Sequence, residues 1–297
     1  MHPVLLNING LKITSYGFTL MLAFLLCNYL LKKYLKSIDI DQKIGDDIIF
    51  YAALGGILGA KIYYIVEFWS SGEGYNNILG LFDIGKGIIS FDFSLIALGI
   101  NQFGSGLVFL GGLIGGLLLV TIYIYKNNLN WSAVSDWVAP YLILGHAIGR
   151  IGCFLVGDCY GKPCSLPWAV TFKNGLPPTT YESFNLNYPN IFYNYVEPIY
   201  NPGDLISVHP TQLYETFIYV IIFIYLLYSR SRKKYNSEIF LEYLFLAGLA
   251  RFFIEFFRVN PLYYFDLSGA QFISLLMILV SSLLMYLNRK KYINGNS

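Results

Sequence analysis

The stretch "GHAIGRIGCFLVGDCYGKP", residues 145–163, opens as an apolar helix able to cross a membrane and then fills with reactive side chains. It carries His146, Arg150, Cys153, Asp158, Cys159 and five glycines. A charged side chain at bilayer depth costs about 2.5–3.5 kcal/mol on insertion scales. Arg150 therefore needs a partner, yet no acid lies one turn away on its own helix. Asp158 is eight residues on, beyond Gly152 and Gly157, which weaken any helix continuing to it. How Arg150 is held decides between an ordinary span and a site built inside a membrane.

The whole composition points to lipid. Hydrophobic residues make up 56% of the chain and charged ones 13%, where soluble domains carry about 25% charge. The net charge is +2, and the lysines and arginines sit in short clusters between apolar runs. That excludes the basic face a nucleic-acid partner would need. Aromatics reach 18%, enough to supply interface anchors. Lys12 precedes the first apolar run, but that run is long and no small-x-small site follows it. It is expected to stay as a span and not to be cleaved as a signal peptide.

Seven stretches have the length a bilayer demands: about 14–31, 46–66, 105–125, 133–156, 212–229, 239–257 and 269–287. "GIISFDFSLIALGI", residues 87–100, is short and interrupted and reads as an interfacial or re-entrant piece. Seven spans put Lys32, Lys33, Lys36, Lys43, Lys126, Arg230, Arg232, Lys233, Lys234, Arg289, Lys290 and Lys291 on one side. The opposite loops hold chiefly Lys86, Lys162, Lys173 and Arg258. The positive-inside rule then places the N-terminus in the periplasm and the C-terminus in the cytoplasm. The expected fold is an all-α integral membrane protein with seven transmembrane helices, a single domain over 1–297. A long external loop at 157–208, rich in Pro, Asn and Tyr, is expected to fold as a periplasmic cap. No internal repeat is evident, which removes support for an inverted-repeat transporter.

Polar groups recur at the outer ends of these spans. His146 lies four residues before Arg150, on the same helix face. Arg251 and Glu255 share that spacing in "RFFIEFFRVNP", residues 251–261, where Arg258 alone reads as an interfacial snorkeller. "HPTQLYE", residues 209–215, opens the fifth span, and Tyr16 in "SYGFTL" opens the first. Arg251 and Glu255 also read as a self-neutralising pair, and His209 as a helix-start residue without chemistry. Two intramembrane arginines near one leaflet suit an anionic lipid head group, since Arg pairs bidentately with phosphate.

Cys153, Cys159 and Cys164 fall within twelve residues, but there is no C-x-x-C, so a metal site is not expected. A disulfide between Cys159 and Cys164 stays open if both face an oxidising space. Gly111, Gly112, Gly115 and Gly116 are expected to allow close helix packing.

Together these motifs resemble the bacterial prolipoprotein diacylglyceryl transferases. "GRIGCFLVGDCYGKP" resembles that family's signature segment. "HPTQLYE" matches its motif almost letter for letter. "RFFIEFFR", "SGAQFISLLMI" and "SYGFTL" match its sixth, seventh and first spans, so the likeness runs through nearly the whole chain in order. The resemblance implies transfer of the diacylglyceryl group of phosphatidylglycerol to the lipobox cysteine of a prolipoprotein signal peptide. It implies a multi-pass protein of the bacterial cytoplasmic membrane, open to the outer leaflet, with membrane lipids as partners and no cofactor. Arg150 and Arg251 would hold the phosphate and glycerol head. Tyr16, Gln212, Tyr214 and Glu215 would shape and hydrogen-bond the site, and Cys153, Asp158, Gly161 and Glu255 complete the expected substrate-binding set.

The chain also departs from the family. Leu110, in "VFLGGLIGG", stands where the family has a histidine proposed as the base. Cys153, Val156 and Asp158 stand where it has Asn, Asn and Glu. The expected proton acceptor is then His146 or His209, whose ordinary pKa near 6.5 suits the task. Two alternatives follow from these departures: the same phospholipid donor with another acceptor, or a non-catalytic lipid-binding or transport protein.

Overall fold

The computed structural model describes residues 4–8, 11–104, 106, 108–189, 191, 201 and 203–295. The chain begins with a two-stranded antiparallel ribbon, β1 (Val4–Ile8) and β2 (Leu11–Thr14). Among the described residues everything else regular is helical, isolated β-bridges apart. Thr14 Oγ1 accepts the Gly17 N–H at 3.1 Å. That side-chain cap satisfies one of the orphan donors at the start of α1 (Ser15–Ser37).

Two compact units follow, one of residues up to Tyr34 and from Ser132 onward, the other Leu35–Trp131. The second unit holds α2 (Lys43–Glu67), α3 (Glu73–Ser90), α4 (Phe93–Gly104) and α5 (Phe109–Lys126). Here α2 and α5 touch backbone to backbone. A Cβ added to Gly59 would lie 2.8 Å from Gly115 Cα and would also strike the Gly111 carbonyl. The glycine run of α5 is therefore a helix-packing surface, as expected. The piece at 87–100 is not isolated: it is the end of α3, a left-handed turn at Phe91, and most of α4.

The first unit is built on α6 (Trp131–Val156), α8 (Thr211–Arg230), α9 (Glu238–Glu255) and α10 (Gly269–Gly295). Ala139, Ile143 and Ala147 form one stripe of α6 at helical spacing. They pack on Tyr219, Ile222 and Leu226 of α8 and on Ile239, Tyr243, Ala247 and Ala250 of α9. Asp136 of α6 joins α9 at its start, accepting the Ser237 and Phe240 N–H groups at 2.8 and 2.9 Å. Lys233 neutralises that carboxylate at 3.0 Å.

Between α6 and α8 the described residues make isolated β-bridges and a short helix, α7 (Tyr181–Asn187). This segment has its own core of Tyr160, Phe172, Phe184, Ile206 and Val208. The part of 157–208 that is described is thus folded; 190, 192–200 and 202 lie outside the described residues.

Among the described residues six helices are long and apolar enough to cross a membrane: α1, α2, α5, α6, α8 and α10. The protein is an integral membrane protein. The expected sixth span, 239–257, is the helix α9, but Glu238, Glu242, Arg251 and Glu255 make it too charged for that class. Residues 105 and 107, at the start of the expected third span, lie outside the described residues.

Candidate functional site

The site grows from the end of α6. The helix stops at Val156, and Gly157 turns the chain at φ 77°. An added Cβ there would sit 2.8 Å from Gly175 Cα, so glycine is required on both counts. Cys159 follows in the left-handed region at φ 57°, a conformation a non-glycine residue seldom holds without a local demand. The demand is visible in the hydrogen bonds. The Asp158 carbonyl accepts from Gln212 Nε2 at 2.5 Å. The Cys159 carbonyl accepts from Thr211 Oγ1 at 2.9 Å and from Arg258 Nη1 at 3.1 Å.

The next turn of α8 supplies the charge. Glu215 is fully buried and pairs with two arginines from two other helices. Arg251 of α9 donates through Nη1 at 2.5 Å, and Arg150 of α6 approaches through Nε. Arg251 Nη2 also binds Glu255 Oε2 at 2.8 Å, with Arg258 Nε 3.6 Å from the same oxygen. Glu255 Oε1 accepts from Asn260 Nδ2 at 2.5 Å and Ser268 Oγ at 2.8 Å. Removing Glu215, the carboxylate shared by two arginines, would strand charge in this network at a cost of about 3–5 kcal/mol.

The exposures give the network a direction. Glu215 and Glu255 are closed off at 0% and 1%, while Arg150 and Arg251 keep 22% and 23% of their side chains accessible. Three guanidiniums face two carboxylates, so a positive charge is left over. Arg150 meets its acid through Nε alone, with Nη1 3.8 Å from Cys153 Sγ. Most of its five N–H donors remain for another acceptor. The arrangement can bind a phosphate and hold it against reorganisation.

Beside Arg150, one ligand atom each from Cys153, Asp158 and Cys159 lies within 4.8 Å of the others. Burial, then the nearby Cys159, pushes the Asp158 carboxyl up to about 6. A hydrogen bond with Cys153, and then the Arg258 and Arg150 charges, hold the Cys159 thiol below its usual range against the opposing effect of burial. All four cysteines are free thiols, so Cys159 and Cys164 are not bonded.

A second polar group stands at the start of α8. Trp168 Nε1 donates to Tyr214 Oη at 2.7 Å, and Tyr214 Oη lies 3.2 Å from His209 Nδ1. The His209 ring packs on Phe257, 5.2 Å between centroids. Burial and the neighbouring Lys162 charge lower the His209 pKa, keeping the ring neutral at pH 7. Gly161 fixes this edge: its N–H bonds the His209 carbonyl at 2.9 Å, and a Cβ would strike the Phe257 carbonyl.

Of the residues expected from sequence, Arg150, Cys153, Asp158, Gln212, Glu215, Arg251 and Glu255 form this one connected cluster. Tyr16 joins it through Gly152, whose added Cβ would lie 3.2 Å from Tyr16 Cδ2. His146 stands a turn away on α6, 6.1 Å from the Tyr219 ring between centroids. Leu110 is exposed in the first turn of α5, in the other unit. One expectation is overturned: Arg258 is not a snorkeller but only 8% exposed, locked to Glu255 and Cys159. The Arg251–Glu255 pair is likewise not self-contained, since Arg251 also grips Glu215. Thr211, Asn260, Ser268 and Trp168 were not singled out. Thr211 sits inside "HPTQLYE" and was within reach of that motif; the others are common polar residues with no spacing signal.

Helices of membrane length and a buried ionic cluster with accessible guanidinium edges define the class, a membrane protein with arginine donors turned toward its accessible side. The family model for prolipoprotein diacylglyceryl transferases matches residues 3–287, and the chain belongs to that family. It is 32% identical over 295 residues to the phosphatidylglycerol–prolipoprotein diacylglyceryl transferase of Clostridium tetani, covering 97% of this chain and 98% of that one. The corresponding enzyme of Finegoldia magna is 29% identical over 298 residues, covering 100% and 99%. One named phosphatidylglycerol–prolipoprotein diacylglyceryl transferase 2, from Clostridium perfringens, is 30% identical, covering 98% and 97%. The chain is a transferase.

Proposed function

We propose that this protein moves the diacylglyceryl group of phosphatidylglycerol onto the lipobox cysteine thiol of prolipoproteins. The observation that carries the reading is Glu215, a closed carboxylate that aims two partly accessible arginines at one place. Arg150 and Arg251 hold the phosphate. The acceptor sulfur, as thiolate, attacks the glycerol carbon that bears the phosphate ester. The C–S bond forms as that C–O bond breaks, and the electron pair leaves with glycerol phosphate, whose charge the arginines stabilise. The products are a thioether and glycerol phosphate.

The proton of the thiol goes to one of two histidines. His209 is kept neutral, with Nδ1 engaged by Tyr214 and Nε2 left for substrate. His146 is accessible and lies one turn from Arg150. Tyr16, Gln212, Tyr214 and Gly161 shape the pocket in which donor and acceptor meet. The whole chain works as one transferase with seven spans in the bacterial cytoplasmic membrane. Its N-terminus is periplasmic, its site opens to the outer leaflet, and 157–208 is the cap.

The test mixes purified protein with phosphatidylglycerol vesicles and a lipobox peptide, and looks for a diacylglyceryl thioether by mass spectrometry. Product is expected with the cysteine peptide and none with its serine counterpart. No thioether from folded protein would overturn the reading.

A further inference from the structure

The ionic cluster accounts for Arg150, Arg251 and Arg258, but it gives no task to the two thiols and the carboxylate beside it. Cys153, Asp158 and Cys159 lie five positions and then one position apart, a spacing unlike C-x-x-C. The fold nonetheless brings a sulfur, an oxygen and a sulfur within 4.8 Å of one another. A tetrahedral zinc ion, with bonds of about 2.0–2.3 Å, holds its ligand atoms roughly 3.5–3.8 Å apart. Small side-chain rotations close that gap.

Two further observations point to a ligand. Asp158 Oδ1 is a buried oxygen without a hydrogen-bond partner, and such an atom is costly unless something occupies it. The loop that carries Asp158 and Cys159 is held in a left-handed conformation by Gln212, Thr211 and Arg258. That is how a preorganised ligand set is supported from behind. The nearest objection is Arg150, whose Nη1 is 3.8 Å from Cys153 Sγ. Glu215 already engages that guanidinium, and Glu255 lies beside Arg258.

We propose that Cys153, Cys159 and Asp158 bind one zinc ion with an open fourth position. Two thiolates and a carboxylate favour zinc over magnesium or calcium, which take oxygen ligands. Three protein ligands with a vacancy are the pattern of a reactive zinc site. Resting on the transferase reading, the fourth ligand is the acceptor thiol. Coordination favours the thiolate, and the proton passes to His146 or His209 as the thiol binds. Its sulfur then attacks the glycerol carbon next to Arg150, the C–O bond to phosphate breaks, and the neutral thioether leaves the metal.

The experiment uses the full-length protein purified in detergent. Zinc is measured by mass spectrometry, and cobalt(II) is titrated into protein freed of metal. One zinc per chain is expected, with a thiolate-to-cobalt charge-transfer band. Cys153→Ser, Cys159→Ser and Asp158→Asn should each lower zinc occupancy at least tenfold, while Cys164→Ser keeps it. Less than a tenth of an equivalent of metal in wild-type protein with titratable thiols overturns the proposal, as does a Cys153–Cys159 disulfide. So does a cobalt band that survives Cys153→Ser. Thioether formation is followed in the same samples. Transfer at full rate without metal sinks the zinc site and leaves the transferase standing. Stoichiometric zinc without transfer does the reverse.

Discussion

Both units bury cations on apolar helices, and they treat them in opposite ways. Lys61 of α2 spends all three ammonium donors on its own unit: Asn77 Oδ1 at 2.7 Å, the Phe103 carbonyl at 2.5 Å and the Gly106 carbonyl at 3.0 Å. Its stem ends over the Phe103 ring, 4.7 Å from the centroid. Neutral dipoles saturate it, and the result is a peg that fastens the α3–α4 hairpin to α2. Arg150 and Arg251 instead share the carboxylate of Glu215, Arg251 with Glu255 besides, and both keep donors left over and an accessible edge. An intramembrane charge alone therefore says little. What separates structure from function is whether its donors are used up.

The sharpest attempt to break this distinction removes the two kinds of group in turn. Arg150→Gln is expected to lower transfer about 10²–10³-fold, the loss typical of one transition-state donor. Its melting temperature should stay within a few degrees of wild type, because Glu215 keeps Arg251. Glu215→Gln should be worse on both counts, releasing two arginines that lose a buried partner. If Arg150→Gln unfolds the protein while retaining its rate, Arg150 is a peg like Lys61.

Next in size is the proton path. His146→Gln and His209→Gln separate the two candidate bases, and the true one should lose about 10²-fold in rate. The His209 pKa is lowered by burial and by Lys162, so its neutral form prevails above that pKa and is lost as pH falls through it. If His209 is the base, Lys162→Met raises that pKa and moves the acid limb of the rate profile to higher pH. An unmoved limb with a full-rate His209→Gln variant assigns the step elsewhere.

Lys61→Met tests the other half. It strands the acceptors of Asn77, Phe103 and Gly106, at about 1–3 kcal/mol of stability for each one left unsatisfied and buried. A drop in melting temperature with the transfer rate of the surviving folded fraction unchanged is the expected result.

Much of this was legible in the chain before its fold. Apolar run lengths located the long helices, and the spacing of Arg251 to Glu255 and the "HPTQLYE" motif located most of the cluster. The partner of Arg150 was not legible, because Glu215 lies 65 positions away on another helix. Arg258 was misread for the same reason: at a helix end it looks solvated, and only the turn back of Cys159 covers it. The Cys153, Asp158 and Cys159 grouping depends on two left-handed residues in a row of three, Gly157 and Cys159, which no hydrophobic period reveals. Lys61 leaves no signal in the sequence, because two of its acceptors are backbone carbonyls and the third is the side chain of Asn77, sixteen positions on.

The smallest effect should still resolve which glycines carry the second unit. Gly59→Ala places a methyl 2.8 Å from Gly115 Cα and against the Gly111 carbonyl, both backbone atoms that cannot rotate away. Forcing α2 and α5 apart should cost about 1–3 kcal/mol. Gly85→Ala, in α3, meets nothing within 4 Å and should gain about 0.5–1 kcal/mol from helix propensity alone. Thermal unfolding in one detergent compares them directly. Equal melting temperatures would mean that α2 and α5 do not meet through glycine. Opposite signs would mean that the packing surface is a few named atoms, with the remaining glycines there by composition.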